Sequence, residues 1–321
     1  MSERIVVLDP IPEATAQRLR ALLPEGFMLS HGARHGEDHL REIIADADYA
    51  ISGQVPVSAA VLNAARHLKL LHKWGVGVDN LDLDAARARG IQVARTTGSN
   101  AVPVAEFAVG LMLSALRHIP QGHEVMQKGE WNDRVTLAEP RMLSGKTVGI
   151  VGLGATGKAT ARLLAGFGCR ILYHKPNRLT PAEEAALGVE HADLPRLLAE
   201  SDVVSLHCPL TPQTAGLVDL EALRSMKRTA VLVNVARGGV VVEADLVRAL
   251  RERTILAAAT DVYEIEPLPA DSVLRGVPNL VLTPHLAAMA ADNFAPTVQR
   301  MFANIVRVSR GEPIPELDRV C

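Results

Sequence analysis

Residues Thr147–Val151 read as a buried-type strand that runs straight into Gly152-Leu153-Gly154-Ala155-Thr156-Gly157, and a helical pattern follows at once over residues 158–164. Three glycines at this spacing are weak evidence in a chain that holds 24. The strand before them and the helix after them are the context a dinucleotide-binding turn requires. Gly152 permits the tight turn, Gly154 lets a pyrophosphate approach the backbone, and Gly157 lets helix and strand pack closely. The exposed N–H groups along Gly152, Leu153, Gly154, Ala155, Thr156 and Gly157, with the helix dipole behind them, would bind the anion. The plainer reading is an ordinary glycine-rich turn.

Strand-like runs and helical patterns alternate through the rest of the chain. A first series has strands at residues 5–8, 27–30, 49–51, 70–73 and 91–94, with helices at 13–23, 37–45, 58–66 and 82–89. A second has strands at 147–151, 170–173, 203–206, 230–234, 257–261 and 280–283, with helices near 157–165, 194–199, 243–250 and 290–309. Such repetition implies an α/β fold of two doubly wound, mostly parallel sheets covered on both faces. A long helix at 103–116 and a polar stretch at 121–139 separate the series. This helix and the last one would be the crossings between domains, with a ligand held where strand carboxyl ends meet.

Hydrophobic residues are 48% of the 321 and charged residues 22%. That fills two cores and excludes a disordered chain. Basic residues number 34 and acidic ones 36, a formal net charge of −2, so no basic excess points to nucleic acid. Cys169, Cys208 and Cys321 show no paired spacing. No disulfide framework or metal site is expected, and a reducing compartment, the cytoplasm, fits. The N-terminal segment does not read as a signal peptide. The most apolar stretch, 101–119, carries Pro103, Glu106 and Arg117, which suits a buried helix and not a membrane span.

The strand after the glycine loop ends in Tyr173-His174-Lys175-Pro176-Asn177-Arg178. About 20 residues past the loop an NAD site presents Asp or Glu to the ribose 2′-hydroxyl. Here that place falls at His174 or Lys175. A cation removes the carboxylate that would repel a 2′-phosphate, and Lys175 with Arg178 would neutralise one. The other reading is two solvated surface cations. NADP(H) is the expected coenzyme, with NAD(H) usable.

Three later segments place polar groups just past buried strands. They are Asn234-Val235-Ala236-Arg237-Gly238-Gly239, Asp261-Val262-Tyr263-Glu264-Ile265-Glu266-Pro267 and Thr283-Pro284-His285. Singly, each is an ordinary turn or loop. Together, beside a dinucleotide turn, they suggest a reaction site.

With Gly75-Val76-Gly77-Val78-Asp79-Asn80, Val104-Ala105-Glu106 and His207-Cys208-Pro209-Leu210-Thr211, these motifs make the chain resemble the D-isomer-specific 2-hydroxyacid dehydrogenases over nearly its full length. The resemblance implies a flavodoxin-like substrate domain, residues 1–100 and 287–321, and a Rossmann dinucleotide-binding domain, residues 101–286. It implies Arg237, Glu266 and His285 as the catalytic trio, the acid being the Glu that immediately precedes Pro267. Asp261 would hold the nicotinamide carboxamide. His207, Cys208, Pro209, Val235 and Ala236 would line the coenzyme, and the N–H groups of Val76 and Gly77 would bind the substrate carboxylate together with Arg237. The family's ribose-binding Asp falls at Lys175, a departure that agrees with the electrostatic argument for NADP(H). The helix at 103–116 and the stretch after it resemble a homodimer contact.

The chemistry follows from charge. Hydride delivery to a 2-oxo acid builds negative charge on the carbonyl oxygen. His285 as imidazolium would protonate it, Glu266 would pair with and orient the ring, and Arg237 would offer a planar fork to the carboxylate. Glyoxylate, hydroxypyruvate or a similar short acid is the expected substrate. Within the family, phosphoglycerate and phosphite dehydrogenase are the alternatives, both disfavoured by the resemblance: Gln54 would stand where the first has a phosphate-binding Arg, with no regulatory domain expected after it, and Val76 where the second has a lysine; formate dehydrogenase is disfavoured by the longer N-terminal part expected of it. A non-catalytic NAD(P)-sensing protein of the same fold is the rival from another class, and the presence of the whole trio argues against it. His31, His35 and His39 recur every fourth residue, but Gly32 and Gly36 interrupt them, so a polar loop is expected there, with no metal. Trp74, beside the carboxylate loop, reads equally as a pocket wall or as ordinary packing.

Overall fold

The computed structural model describes residues 2–131 and 139–321. It divides into two compact units, Met1–Asn100 with Ala290–Cys321, and Ala101–Met289.

The first unit is a five-stranded parallel sheet. Its strands are β1 (Glu3–Pro10), β2 (Phe27–Gly32), β3 (Tyr49–Ser52), β4 (Leu70–Lys73) and β5 (Gln92–Ala94), in the order β2-β1-β3-β4-β5. β3 and β4 are buried along their whole length, as expected of strands covered on both faces. The last helix, Ala291–Ser309, buries Val298, Met301, Phe302 and Ile305 in the core of this unit and packs against β4. Two polar residues of that helix are paired at the core's edge. Asn304 donates to His72 Nε2 at 3.1 Å and to Asp318 Oδ2 at 3.2 Å, and Arg300 donates to both Asp318 oxygens. His72 Nδ1 meets Lys73 O at 2.9 Å.

The second unit is a seven-stranded parallel sheet. It holds β6 (Thr147–Val151), β7 (Arg170–His174), β8 (Val189–His191), β9 (Val203–Leu206), β10 (Val231–Asn234), β11 (Ala257–Thr260) and β12 (Leu280–Leu282), in the order β12-β11-β10-β9-β6-β7-β8. The order reverses between β6 and β9, and ligands of doubly wound sheets bind outside strand carboxyl ends at such a point. The helix Ala101–Arg117 buries Val104, Ala108, Val109 and Met112 against the helix Ala155–Ala165 and against β10 and β11. No single helix among the described residues is long and apolar enough to cross a membrane.

Several elements differ from the sequence reading. The stretch read as polar from residue 121 starts inside a helix, Ile119–Gln127, which buries no side chain and so carries no apolar stripe; residues 132–138 of that stretch lie outside the described residues. The helices Pro181–Leu187 and Leu220–Ser225 and the strand β8 are too short for a periodic signal. Residues 287–289 belong with the second unit, not the first, because Ala287 N donates to the Asp261 carboxylate at 2.8 Å. His31 lies on β2, and His39 on the helix Glu37–Ile44, where its Nε2 accepts from Ala33 N. The three histidines share no helix face, and no group of three metal-ligating side chains occurs among the described residues.

Candidate active site

In the second unit every expected site residue follows the carboxyl end of a strand. After β6, Gly152 turns at φ +97°, and a Cβ there would lie 2.5 Å from Cys208 N. The turn therefore presses against the loop that follows β9. Leu153 is buried in the core, and Gly157 sits under the Gly152 carbonyl. Gly154 is the N-cap of the helix Ala155–Ala165 and offers no capping side chain; a Cβ there would meet nothing within 4 Å. Gly154 and Ala155 are exposed and Thr156 partly so. This is an open cradle of N–H donors at a helix start, which suits a pyrophosphate.

Lys175 immediately follows β7. Arg178 is engaged differently from the expectation. Its Nε and Nη2 donate to Glu184 Oε1 and Oε2 at 2.8 and 2.9 Å, and Glu184 also accepts from Tyr173 Oη at 2.7 Å. After β9, His207 Nε2 lies 2.9 Å from Ser205 Oγ, while buried Nδ1 has no partner among the described residues. Desolvation pushes the His207 pKa down to about 4, and the neighbouring Cys208 thiol up to about 11. Pro209 O accepts from Thr214 Oγ1 at 2.6 Å.

After β10, Asn234 folds the next turn. Its Oδ1 accepts from Ala236 N and its Nδ2 donates to Arg237 O, both at 3.0 Å. Val235 is partly buried and Ala236 buried, and Arg237 Nη1 donates to Ala236 O at 2.8 Å. Gly238 then crosses the backbone after β11 so closely that a Cβ would collide with Tyr263 C and O. Glu243 N donates to Glu264 Oε1 at 3.2 Å, and Glu264 N donates to Glu243 Oε1 at 2.8 Å. This reciprocal pair ties the segment after Arg237 to the one that carries Glu266.

The acid–base pair is formed by Glu266 and His285. His285 Nδ1 lies 2.6 Å from Glu266 Oε2, and Glu266 Oε1 accepts from Tyr263 N at 3.0 Å. Burial pushes the Glu266 carboxyl up. The hydrogen bond and charge of His285, the Tyr263 N–H and the Arg237 charge outweigh it, and the net pKa falls below the ordinary value. Since a carboxylate only accepts, the ring proton on this side sits on Nδ1. Nε2 has no hydrogen-bond partner among the described residues.

Asp261 is fully buried and holds the His285 loop. Its Oδ1 accepts from Thr283 Oγ1 at 2.6 Å and Leu286 N at 2.9 Å, its Oδ2 from Ala287 N, and its carbonyl from His285 N at 2.9 Å. His285 itself adopts φ +54°, a conformation sustained only when the surroundings over-determine it. Tyr263 adds to this, its Oη donating to Thr283 O at 2.8 Å. The sequence reading missed Thr283, Tyr263 and the Glu243–Glu264 pair as supports, because no local spacing marks contacts across 20 or so residues.

In the first unit, Val76 and Gly77 lie in the loop after β4. Gly75 O accepts from Thr96 N at 3.0 Å, and Arg95 Nη1 donates to Val76 O at 3.3 Å. Neither the Val76 nor the Gly77 N–H donates to another described residue. Trp74 packs on Phe294, ring centroids 6.0 Å apart, and both are partly buried against the core of this unit.

Residues 109–287 match the family model for the D-isomer specific 2-hydroxyacid dehydrogenase NAD binding domain. Over 99% of its length the chain is 38% identical to a glyoxylate reductase of Korarchaeum cryptofilum, and it covers 96% of that protein. Over 97% of its length it is 35% identical to a D-3-phosphoglycerate dehydrogenase of Archaeoglobus fulgidus, of which it spans 58%. An NADPH-dependent glyoxylate/hydroxypyruvate reductase of Sinorhizobium meliloti, solved in complex with NADP and malonate, is similar across the whole chain and 97% of that chain, with a TM-score of 0.86 at 30% identity.

Proposed function

The chain belongs to the D-isomer specific 2-hydroxyacid dehydrogenase family, and from that premise we propose that it reduces a short, unphosphorylated 2-oxo acid, of the glyoxylate or hydroxypyruvate type, with NADPH. The chain is an NAD(P)-dependent D-2-hydroxyacid oxidoreductase. The observation that carries the catalytic part of the proposal is the Glu266–His285 contact, with the Arg237 charge acting on the same carboxylate.

Bound at the glycine turn, the coenzyme supplies a hydride to the oxo carbon. Arg237 holds the substrate carboxylate as a planar fork and draws electron density from the adjacent carbonyl. In the first unit, the N–H groups of Val76 and Gly77 are proposed as donors to a carboxylate. His285 gives the Nε2 proton to the carbonyl oxygen, so one hydride and one proton convert the oxo group to a hydroxyl. Glu266 keeps Nδ1 protonated and balances the imidazolium charge before transfer. In oxidation, neutral Nε2 takes the hydroxyl proton. Positioned proton transfer of this kind contributes roughly 10²- to 10⁴-fold.

Coenzyme choice rests on Lys175, a cation at the position where an NAD site needs a carboxylate. Substrate choice is supported by the loop after β3. Gly53, Gln54 and Val55 direct their N–H groups to the Asp9 carboxylate, at 2.5, 2.6 and 3.1 Å, and the loop brings no cation of its own for a phosphate. The named activities of the glyoxylate reductase and of the glyoxylate/hydroxypyruvate reductase agree with this reading. We further propose a cytoplasmic homodimer whose contact includes the exposed Val102, Ile119 and Met126, to be tested by light scattering of the purified chain. The catalytic reading is tested by a matrix of NADPH and NADH against glyoxylate, hydroxypyruvate and 3-phosphohydroxypyruvate. Highest kcat/KM with the phosphorylated acid would overturn the substrate assignment.

A further inference from the structure

Arg178 is a poor second cation for a coenzyme phosphate. Two of its donors lie side-on against Glu184, the strongest geometry an Arg–carboxylate pair adopts. The Glu184 carboxylate cancels its charge and is itself held by the Tyr173 hydroxyl. Another cation lies on the helix that follows the glycine turn. Lys158 lies in the first turns of the helix Ala155–Ala165, and its N–H donates to the Gly154 carbonyl at 2.9 Å. Its Nζ stands 4.0 Å from Glu183 Oε1. Glu183 lies in the first turn of the helix Pro181–Leu187, and its other oxygen, Oε2, closes a capping box with Thr180 N and Oγ1, both at 2.9 Å. Lys175 acts on the same carboxylate, whose pKa is lowered first by the Thr180 contacts and then by the charges of Lys158 and Lys175. Gly152 N donates to the His174 carbonyl at 2.9 Å, so the glycine turn and the end of β7 lie together, and Lys158, Glu183 and Lys175 all belong to the segments that leave them.

We infer that Lys158, and not Arg178, is the second cation of the coenzyme 2′-phosphate site beside Lys175, and that Glu183 weakens that site by its opposing charge. This rests on the NADP(H) reading above. Lys158 and Glu183 then act on one ligand with opposite sign. A salt bridge of purely structural worth would make both removals act alike.

The test uses the intact protein and the fragments 2′,5′-ADP and 5′-ADP, titrated calorimetrically into wild type, Lys158→Ala, Arg178→Ala and Glu183→Gln. Gln serves at the third helical position of a capping box, so the last variant keeps its cap. The expected result is about 5-fold weaker 2′,5′-ADP binding in Lys158→Ala, the scale of one partly exposed ion pair, with 5′-ADP affected much less. Glu183→Gln tightens 2′,5′-ADP, and Arg178→Ala leaves the ratio of the two affinities in place. Melting temperatures of Lys158→Ala and Glu183→Gln should fall together, which separates lost stability from the opposed shifts in affinity. Equal weakening of both fragments by Lys158→Ala, or a loss confined to Arg178→Ala, overturns the inference while the NADP(H) reading stands. A wild type that binds 5′-ADP as tightly as 2′,5′-ADP overturns both.

Discussion

His285 Nδ1 and Glu266 Oε2 are 2.6 Å apart across 19 residues of chain. The contact fixes which ring nitrogen is engaged and leaves Nε2 for the proposed proton transfer. Replacing His285 by Ala should lower kcat by roughly 10²- to 10⁴-fold, the contribution of a positioned proton donor. NADPH affinity, followed by fluorescence titration, should persist. Near-normal turnover would remove His285 from the mechanism.

Lys175→Asp should turn coenzyme preference toward NADH, because the new carboxylate accepts from the ribose hydroxyl and repels a 2′-phosphate. The kcat/KM ratio for the two coenzymes is the measurement. A ratio unmoved by the substitution would make this lysine a bystander.

Gly238→Ala should damage both stability and substrate binding. The added methyl meets the Tyr263 carbonyl, and overpacking of this kind costs about 1–3 kcal/mol. Relief requires the Arg237 turn to move away from the segment bearing Glu266, so KM for the oxo acid should rise more than KM for NADPH. Urea unfolding and steady-state kinetics together check this; unchanged urea midpoints would contradict the contact.

Acid should destabilise the fold well before the carboxylates protonate. His72 is fully buried, and desolvation holds its pKa at about 4, partly offset by the Lys73 carbonyl and by Asp318; His207 is likewise lowered to about 4. Both rings bind fewer protons folded than unfolded between about pH 4 and the ordinary histidine value near 6.5. Stability is therefore full above that window and falls as pH drops through it. The Glu266 pair acts lower, its contribution lost only as pH falls below the ordinary carboxyl range. Urea midpoints at pH 7.5, 6 and 5 measure the slope, and His72→Gln should flatten it. A pH-independent midpoint over this range would show that neither ring is desolvated.

Much of this was legible in the sequence because it rests on local rules. Gly152, Gly154 and Gly157 announce their turn by spacing, and a buried strand followed by a polar residue marks Arg237 and His285 as strand-end groups. The two parallel sheets follow from alternation alone. What was not legible depends on how the backbone folds between the partners. Nothing near Arg178 says that Glu184 takes its guanidinium, and nothing near Asp261 says that its carboxylate is spent on residues 283–287. Elements that bury little, such as Ile119–Gln127, leave no periodic trace.

The reversal of strand order between β6 and β9 separates two inheritable choices. On one arm of the sheet, the end of β7 is the proposed place of coenzyme choice. On the other, the ends of β10, β11 and β12 carry the proposed proton donor and its supports. Few side chains serve both arms, so changes on them should combine additively. A lineage could exchange one reductant pool for another through a few substitutions after β7, with the proton-transfer apparatus inherited intact.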